Sequence, residues 1–203
     1  MKPTFIGISG GTGSGKTHLS KILVKEFGDK KITRIELDSY YKDNSKLSLI
    51  DRKKINYDHP KSIDKKLLEK QLIQLNNWEN IHIPNYDFST HTRMNSKRKV
   101  TPKEIIIFDG IFALYFKEIY ELLDIKIFLN TPPDICFIRR LERDIAHRGR
   151  SLNSTIKQYL NSVRPMYNKY IKPTQDLADI TIDYNQDFST LIDRLKFLMD
   201  KNS

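Results

Sequence analysis

Near the amino terminus, Gly10-Gly11-Thr12-Gly13-Ser14-Gly15-Lys16-Thr17 carries the spacing G-x-x-x-x-G-K-[ST]. The chemistry it offers is the holding of a phosphate chain. Glycines permit backbone conformations that turn successive N–H groups inward. A lysine in the last turn of the loop reaches the terminal phosphates, and the next hydroxyl can ligate Mg²⁺. Four of the chain's 8 glycines fall in this octapeptide. The motif predicts nucleoside-triphosphate binding and is silent on where the phosphate goes.

Two carboxylates and a run of arginines are the other groups with chemistry to offer. Asp38 and Asp109 each follow an apolar run, Ile32 to Leu37 and Ile105 to Phe108. Asp109 suits support of Mg²⁺, directly or through water. Asp38 is then free to orient an acceptor hydroxyl and take its proton. Turn formation, before Ser39 and before Gly110, is the plainer use of the same two residues. Arg139, Arg140, Arg143, Arg148 and Arg150 crowd twelve positions. On one helix, residues three and four apart share a face, and Arg148-Gly149-Arg150 leaves the helix through a glycine. Fixed cations at a helix end and loop are what a lid closing on phosphates needs. A solvated basic face paired with Glu142 and Asp144 is the alternative, and the phosphate loop tips the choice toward Arg143 and Arg148 as phosphate contacts.

The elements that must position these groups follow from the hydrophobic pattern. Strand-length apolar runs occur at Phe5 to Ile8, Ile32 to Leu37, Ile105 to Phe108, Ile125 to Leu129 and Ile180 to Ile182. Helical periodicity fills Lys16 to Phe27, Asp64 to Trp78, Asp134 to His147, Ser151 to Tyr167 and Asp187 to Asp200. Near-continuous apolar strands alternating with amphipathic helices predict an α/β fold, a parallel sheet flanked by helices. In such a sheet the strand ends gather at one edge, beside the phosphate loop. Residues 81–101 are polar and β-prone, and read as a β-hairpin insertion outside the sheet. Insertions of this kind commonly carry substrate contacts.

Length and composition set the outer limits. The chain has 203 residues, one Cys, and 35 Lys+Arg against 25 Asp+Glu, a net charge of +10. That length predicts one domain with a proper core. A single Cys excludes an internal disulfide and a multi-Cys zinc site, and fits a reducing compartment. No run approaches the ~18 apolar residues of a membrane span, and the chain reaches its first strand too soon for a signal peptide. The expectation is a cytoplasmic protein with no membrane partner, whose basic charge serves nucleic acid or a small phosphorylated molecule.

Taken together, the motifs resemble the uridine–cytidine kinase family of the P-loop kinase superfamily. Beyond the phosphate loop, Asp38-Ser39-Tyr40-Tyr41-Lys42 is similar to the family's catalytic-aspartate segment. Asn56-Tyr57-Asp58-His59-Pro60 resembles its ribose-contact segment, and the run from Pro84 to Arg93 its base-binding hairpin. Arg139 to Asp144 and Arg148 to Ser151 resemble its lid, here 143–151. Val163-Arg164-Pro165-Met166-Tyr167 is also family-like.

The resemblance implies one kinase domain, 1–203, that moves the γ-phosphoryl of ATP or GTP to the 5′-hydroxyl of uridine or cytidine with Mg²⁺. It implies Asp38 as general base and metal neighbour, with Thr17 and Asp109 at the metal. Lys16, Arg143 and Arg148 would offset charge on the phosphates. Asp58, Arg140 and Gln158 would hold the ribose, Tyr86 and His91 would read the pyrimidine with Arg150 nearby, and Tyr41 and Tyr57 would line the pocket. Asp187 would lie near the donor base, and the assembly would be a homotetramer. From the residues alone, His91 reads more simply as an exposed hairpin histidine and Tyr86 as a strand aromatic. Two departures stand out: Asp109 replaces the family's usual Glu, and Asp183-Tyr184-Asn185 replaces Pro-Arg-Gly. The shorter carboxylate leaves room for one more water at the metal.

Other readings weigh less. A kinase of another small alcohol, phosphoribulokinase-like or pantothenate kinase-like, does not account for the Tyr86/His91 hairpin. A GTP-driven switch needs Asn-Lys-x-Asp, and Asn168-Lys169-Tyr170-Ile171 fails at the last position. A nucleic-acid-stimulated NTPase is motivated by the +10 alone, and most of the functional arginines already have a mononucleotide-sized task, so no nucleic-acid partner is expected.

Overall fold

A computed structural model describes residues 2–201, with side chains through residue 197. Met1, Asn202 and Ser203, the ends of the expected 1–203 span, lie outside the described residues, as do the side chains of 198–200 in the expected helix to Asp200.

Five strands form one wholly parallel sheet: β1 (Thr4–Gly10), β2 (Ile32–Glu36), β5 (Ile105–Asp109), β6 (Ile125–Asn130) and β7 (Ile180–Asp183). Their order across the sheet is β2-β5-β1-β6-β7. β3 (Ile81–Asp87) and β4 (Thr92–Val100) pair antiparallel as a separate two-stranded sheet. β5 shows why the strand runs are nearly all apolar. Successive side chains point to opposite faces, so Ile105 and Ile107 enter one core with Leu19, Leu23 and Leu195, while Ile106 and Phe108 enter the other with Leu68, Leu72 and Phe112. Helix α1 (Lys16–Phe27) and α8 (Ser189–Lys201) serve the first layer, and α3 (Lys65–Asn76) and α4 (Lys117–Tyr120) the second.

Local chemistry sets several boundaries. α3 begins one residue after Asp64, whose carboxylate accepts from Leu67 N–H at 3.2 Å, an N-cap. β2 stops at Glu36 rather than Leu37, because Leu37–Tyr40 winds into a 3₁₀ turn. Leu37 and Tyr40, three apart, bury on one face, which leaves Asp38 and Ser39 turned toward the open edge. α2 (Leu49–Lys54), short and exposed, and α4 are too brief for periodicity to reveal.

The expected helix from Ser151 to Tyr167 has a different form and runs further. α5 (Pro133–Arg148) ends at Gly149, whose φ of 61° is the left-handed cap. α6 (Leu152–Gln158) then passes through a π-helical turn (Tyr159–Val163), α7 (Arg164–Met166), a second π-helical turn (Tyr167–Ile171) and a 3₁₀ stretch (Lys172–Leu177). Pro165 lies in the middle of this run. It has no N–H to donate and its ring crowds the preceding turn, and wider turns on either side keep the chain helical.

Candidate active site

Parallel strands deliver their ends to one edge, and a cleft of about 510 Å³ opens there. β1 ends in the phosphate loop, and α1 starts at Lys16 directly behind it. Gly13 has φ 82°, and a Cβ there would drive into the Cys136 carbonyl of α5, so this turn of the loop accepts only glycine. Thr131, just past β6, donates its hydroxyl to the Ser14 carbonyl at 2.9 Å and holds the loop from below. Lys16 Nζ folds over the loop, donating to the Gly10 and Gly11 carbonyls at 3.0 and 2.7 Å. Burial holds its pKa below the ordinary lysine value, while the nearby Asp109 and Asp38 charges push it back up. Thr17 is exposed on the cleft wall.

Asp38 and Asp109 both line this cleft with Lys16 and Thr17. Desolvation raises the Asp38 pKa, against the pull of Arg148 and Lys16. Asp109 is buried, and one of its oxygens, Oδ2, accepts from Ser20 Oγ at 2.7 Å and Arg34 Nε at 2.8 Å. Arg34 also pairs with Glu36 at 2.7 Å. Ser20 and Arg34 carry no local signal in the sequence. Ser20 lies one helical turn beyond Lys16, and Arg34 sits opposite Ile107 across the β2–β5 register, so only the sheet pairing reveals them. Among the described residues no cluster of three or more His, Cys, Asp or Glu can hold a metal alone. Mg²⁺ does not need one. It keeps several waters and binds through one or two carboxylates plus substrate phosphates, and Thr17, Asp38 and Asp109 fit that pattern.

At the other end of the cleft, rings form a box. Tyr41 meets Tyr57 edge-on at 5.4 Å and Tyr86 at a 48° tilt and 5.2 Å, and His91 stacks on Tyr57 at 4.8 Å and 12°. The hydroxyls of Tyr57 and Tyr86 are buried and face each other, and among the described residues no other group pairs with them. His91 adopts φ 55° in the β3–β4 turn. Burial, then the Arg150 charge, lowers its pKa, so the imidazole is neutral at pH 7 and offers one donor and one acceptor.

Between box and loop lies a polar network. Buried Asp58 sits 3.8 Å from Arg140 and accepts from Ser162 Oγ at 3.2 Å. Arg140 donates to Thr12 Oγ1 at 3.2 Å and Gln158 Oε1 at 3.0 Å, and Arg150 also donates to Gln158 Oε1. Ser162 gave no sequence signal, since its partner is 104 positions away. Arg143 and Arg148 also line the cleft, with the Arg148 guanidinium 4.4 Å over the Phe88 ring of the hairpin.

One expected residue stands apart. Asp187 is exposed, caps the turn into α8 by accepting from Ser189 N–H and hydroxyl at 3.2 and 2.6 Å, and is not among the residues lining the cleft. Its neighbour Phe188 packs 6.2 Å from His18, which does line it.

A parallel sheet with a phosphate loop at its edge, and two carboxylates and several arginines lining the same cleft, defines a P-loop kinase. The phosphoribulokinase from Rhodobacter spheroides shares the fold, with a TM-score of 0.67 at 17% identity over 93% of this chain and 73% of that one. The chain belongs to the phosphoribulokinase/uridine kinase family, whose profile it matches over residues 5–190. It is 52% identical to a uridine kinase of Clostridium perfringens, over 89% of this chain and 87% of that protein. It is 47% identical to a uridine kinase of Lactobacillus helveticus, over 96% and 92%.

Proposed function

We propose that this protein transfers the γ-phosphoryl of ATP or GTP to the 5′-hydroxyl of uridine or cytidine. The observation that carries this reading is the division of one cleft into a phosphate loop and an aromatic box, with Asp38 between them. The relatives named uridine kinase support the same substrate class. Asp38 orients the hydroxyl and takes its proton, and its raised pKa makes it a better base than an ordinary aspartate. Lys16, Arg143 and Arg148 bind and orient the phosphates and offset their charge. Asp58, Arg140 and Gln158 hold the ribose hydroxyls, while Tyr86 and neutral His91 read the base. Thr17, Asp38 and Asp109 would hold Mg²⁺, which when bound supplies charge neutralisation on the donor phosphates.

In this reading the 1–203 chain is one kinase domain, 81–101 its nucleoside hairpin and 143–151 its lid. We further propose a cytoplasmic homotetramer with no nucleic-acid partner. No helix among the described residues is long and apolar enough to cross a membrane. The test is incubation with Mg·ATP or Mg·GTP and a nucleoside panel. Uridine and cytidine should yield their 5′-monophosphates; a protein that phosphorylates neither contradicts the proposal.

A further inference from the structure

Asp144 has no place in the substrate contacts above, yet three of the arginines assigned to them converge on it. Its carboxylate is 0% exposed and enclosed within the lid helix. Oδ1 accepts from Arg143 Nε at 3.0 Å and NH2 at 2.8 Å, and lies 3.7 Å from Arg148 NH1. Oδ2 lies 3.4 Å from Arg140 Nε. The spacing explains the convergence. Arg140 and Arg148 are four residues before and after Asp144, so all three stand on one face of α5, and Arg143 folds back from the adjacent position. The Asp144 main-chain carbonyl also receives the N–H groups of Gly149 and Arg150, the latter at 3.1 Å, which fixes the exit of the lid chain.

A buried carboxylate left without partners is very unfavourable, and so are crowded cations without an anion. Here Asp144 is shared by three cations, with Asp58 3.8 Å from Arg140 on its other side. The cluster stays compact while keeping a net positive charge, which a polyphosphate chain requires at the mouth of the site. Without the anion, Arg143 and Arg148 have no common anchor and mutual repulsion turns them outward. Arg143 is about one-third exposed and Arg148 about one-quarter, so both have solvent to turn into.

We infer that Asp144 is the positioning residue of the lid, a buried anion that presets Arg143 and Arg148 toward the transferring phosphates and Arg140 toward the ribose. The inference rests on the nucleoside kinase reading for those arginines' tasks. The geometry of the cluster stands without it.

The experiment is a mutant cycle joined to a measurement on the unaltered protein. Asp144→Asn keeps the shape and removes the charge. With uridine and Mg·ATP, its kcat should fall at least tenfold, with donor KM changed by less, since the arginines gain most as charge develops in transfer. In an Arg143→Ala/Arg148→Ala background the same substitution should change kcat less than about threefold, because the two residues through which it acts on transfer are gone; its effect through Arg140, which remains, falls on nucleoside KM. Equal factors in both backgrounds, or no loss in the first, would overturn the inference. In the ¹⁵N spectrum of the unsubstituted protein, an exchange-protected Nε–H resonance that disappears in Arg143→Lys should be present. Its absence overturns the positioning claim even if Asp144→Asn fails to fold. Should the unaltered protein not phosphorylate uridine while that resonance is present, the functional reading fails and the anchored cluster does not.

Discussion

The two ends of the cleft are built by different means. The phosphate end is made mostly of backbone: a glycine turn, a helix start and strand ends, buttressed by Thr131 and closed against the Cys136 backbone at Gly13. The nucleoside end is made of side chains from distant segments. Asp58 meets Ser162, Arg93 reaches the Tyr41 carbonyl at 2.9 Å across 52 positions, and Tyr57 stacks on His91. A polyphosphate is the same in every donor, so a rigid generic cradle suffices. A nucleoside must be told from its close analogues, which requires orientable groups that lose partners when the wrong ligand enters.

The difference can be broken at the boundary, where Asp38 stands. Asp38→Asn should lower kcat by about 10²–10⁴-fold, with donor binding by calorimetry retained. The folded protein binds a proton at Asp38 more readily than an unfolded chain, so its charge costs stability at neutral pH. The variant should therefore melt no lower than the parent. Retained turnover would remove Asp38 from the chemistry.

At the phosphate end, Gly13→Ala should abolish measurable donor binding, since the backbone conformation and the Cys136 carbonyl both oppose a side chain. Nucleoside binding measured without donor should persist. Joint loss of both would mean the two ends are not separable.

At the nucleoside end the effects are smaller. Substituting 2′-deoxyuridine for uridine leaves a buried charged group unpaired near Asp58 and Arg140, worth about 1–3 kcal/mol or roughly 5–150-fold in kcat/KM. Asp58→Asn should shrink that ratio toward one. Ser162→Ala, which removes one hydrogen bond to Asp58, should cost about 1 kcal/mol in nucleoside affinity and nothing in donor affinity. In the Mg²⁺-free protein, the Asp38 carboxyl should titrate above the usual carboxylate range by ¹³C NMR, because desolvation raises its pKa. Titration at ordinary aspartate values would contradict that desolvation.

The same contrast explains what was legible in the sequence. The phosphate loop is contiguous, so spacing alone announced it, and the apolar runs announced the strands that carry Asp38 and Asp109 to one edge. The Arg34–Asp109–Ser20 set depends on sheet register, and Ser162–Asp58 on the path of a helix bent through two π-turns; neither leaves a local trace. Asp144 did leave one. Arg140, Asp144 and Arg148 keep a strict four-residue spacing, but the same spacing describes a solvated ion-paired face. Only burial distinguishes the two.

The central claim is that the phosphoryl group crosses from the backbone-built end to a hydroxyl held at the side-chain-built end. Its most direct test compares uridine with 5′-deoxyuridine, which fits the same box and lacks the acceptor hydroxyl. With Mg·ATP, uridine should give UMP and ADP in equal amounts, and 5′-deoxyuridine should bind competitively and give no phosphorylated product. Phosphorylation of 5′-deoxyuridine, or uridine-independent release of phosphate at the same rate, would contradict it.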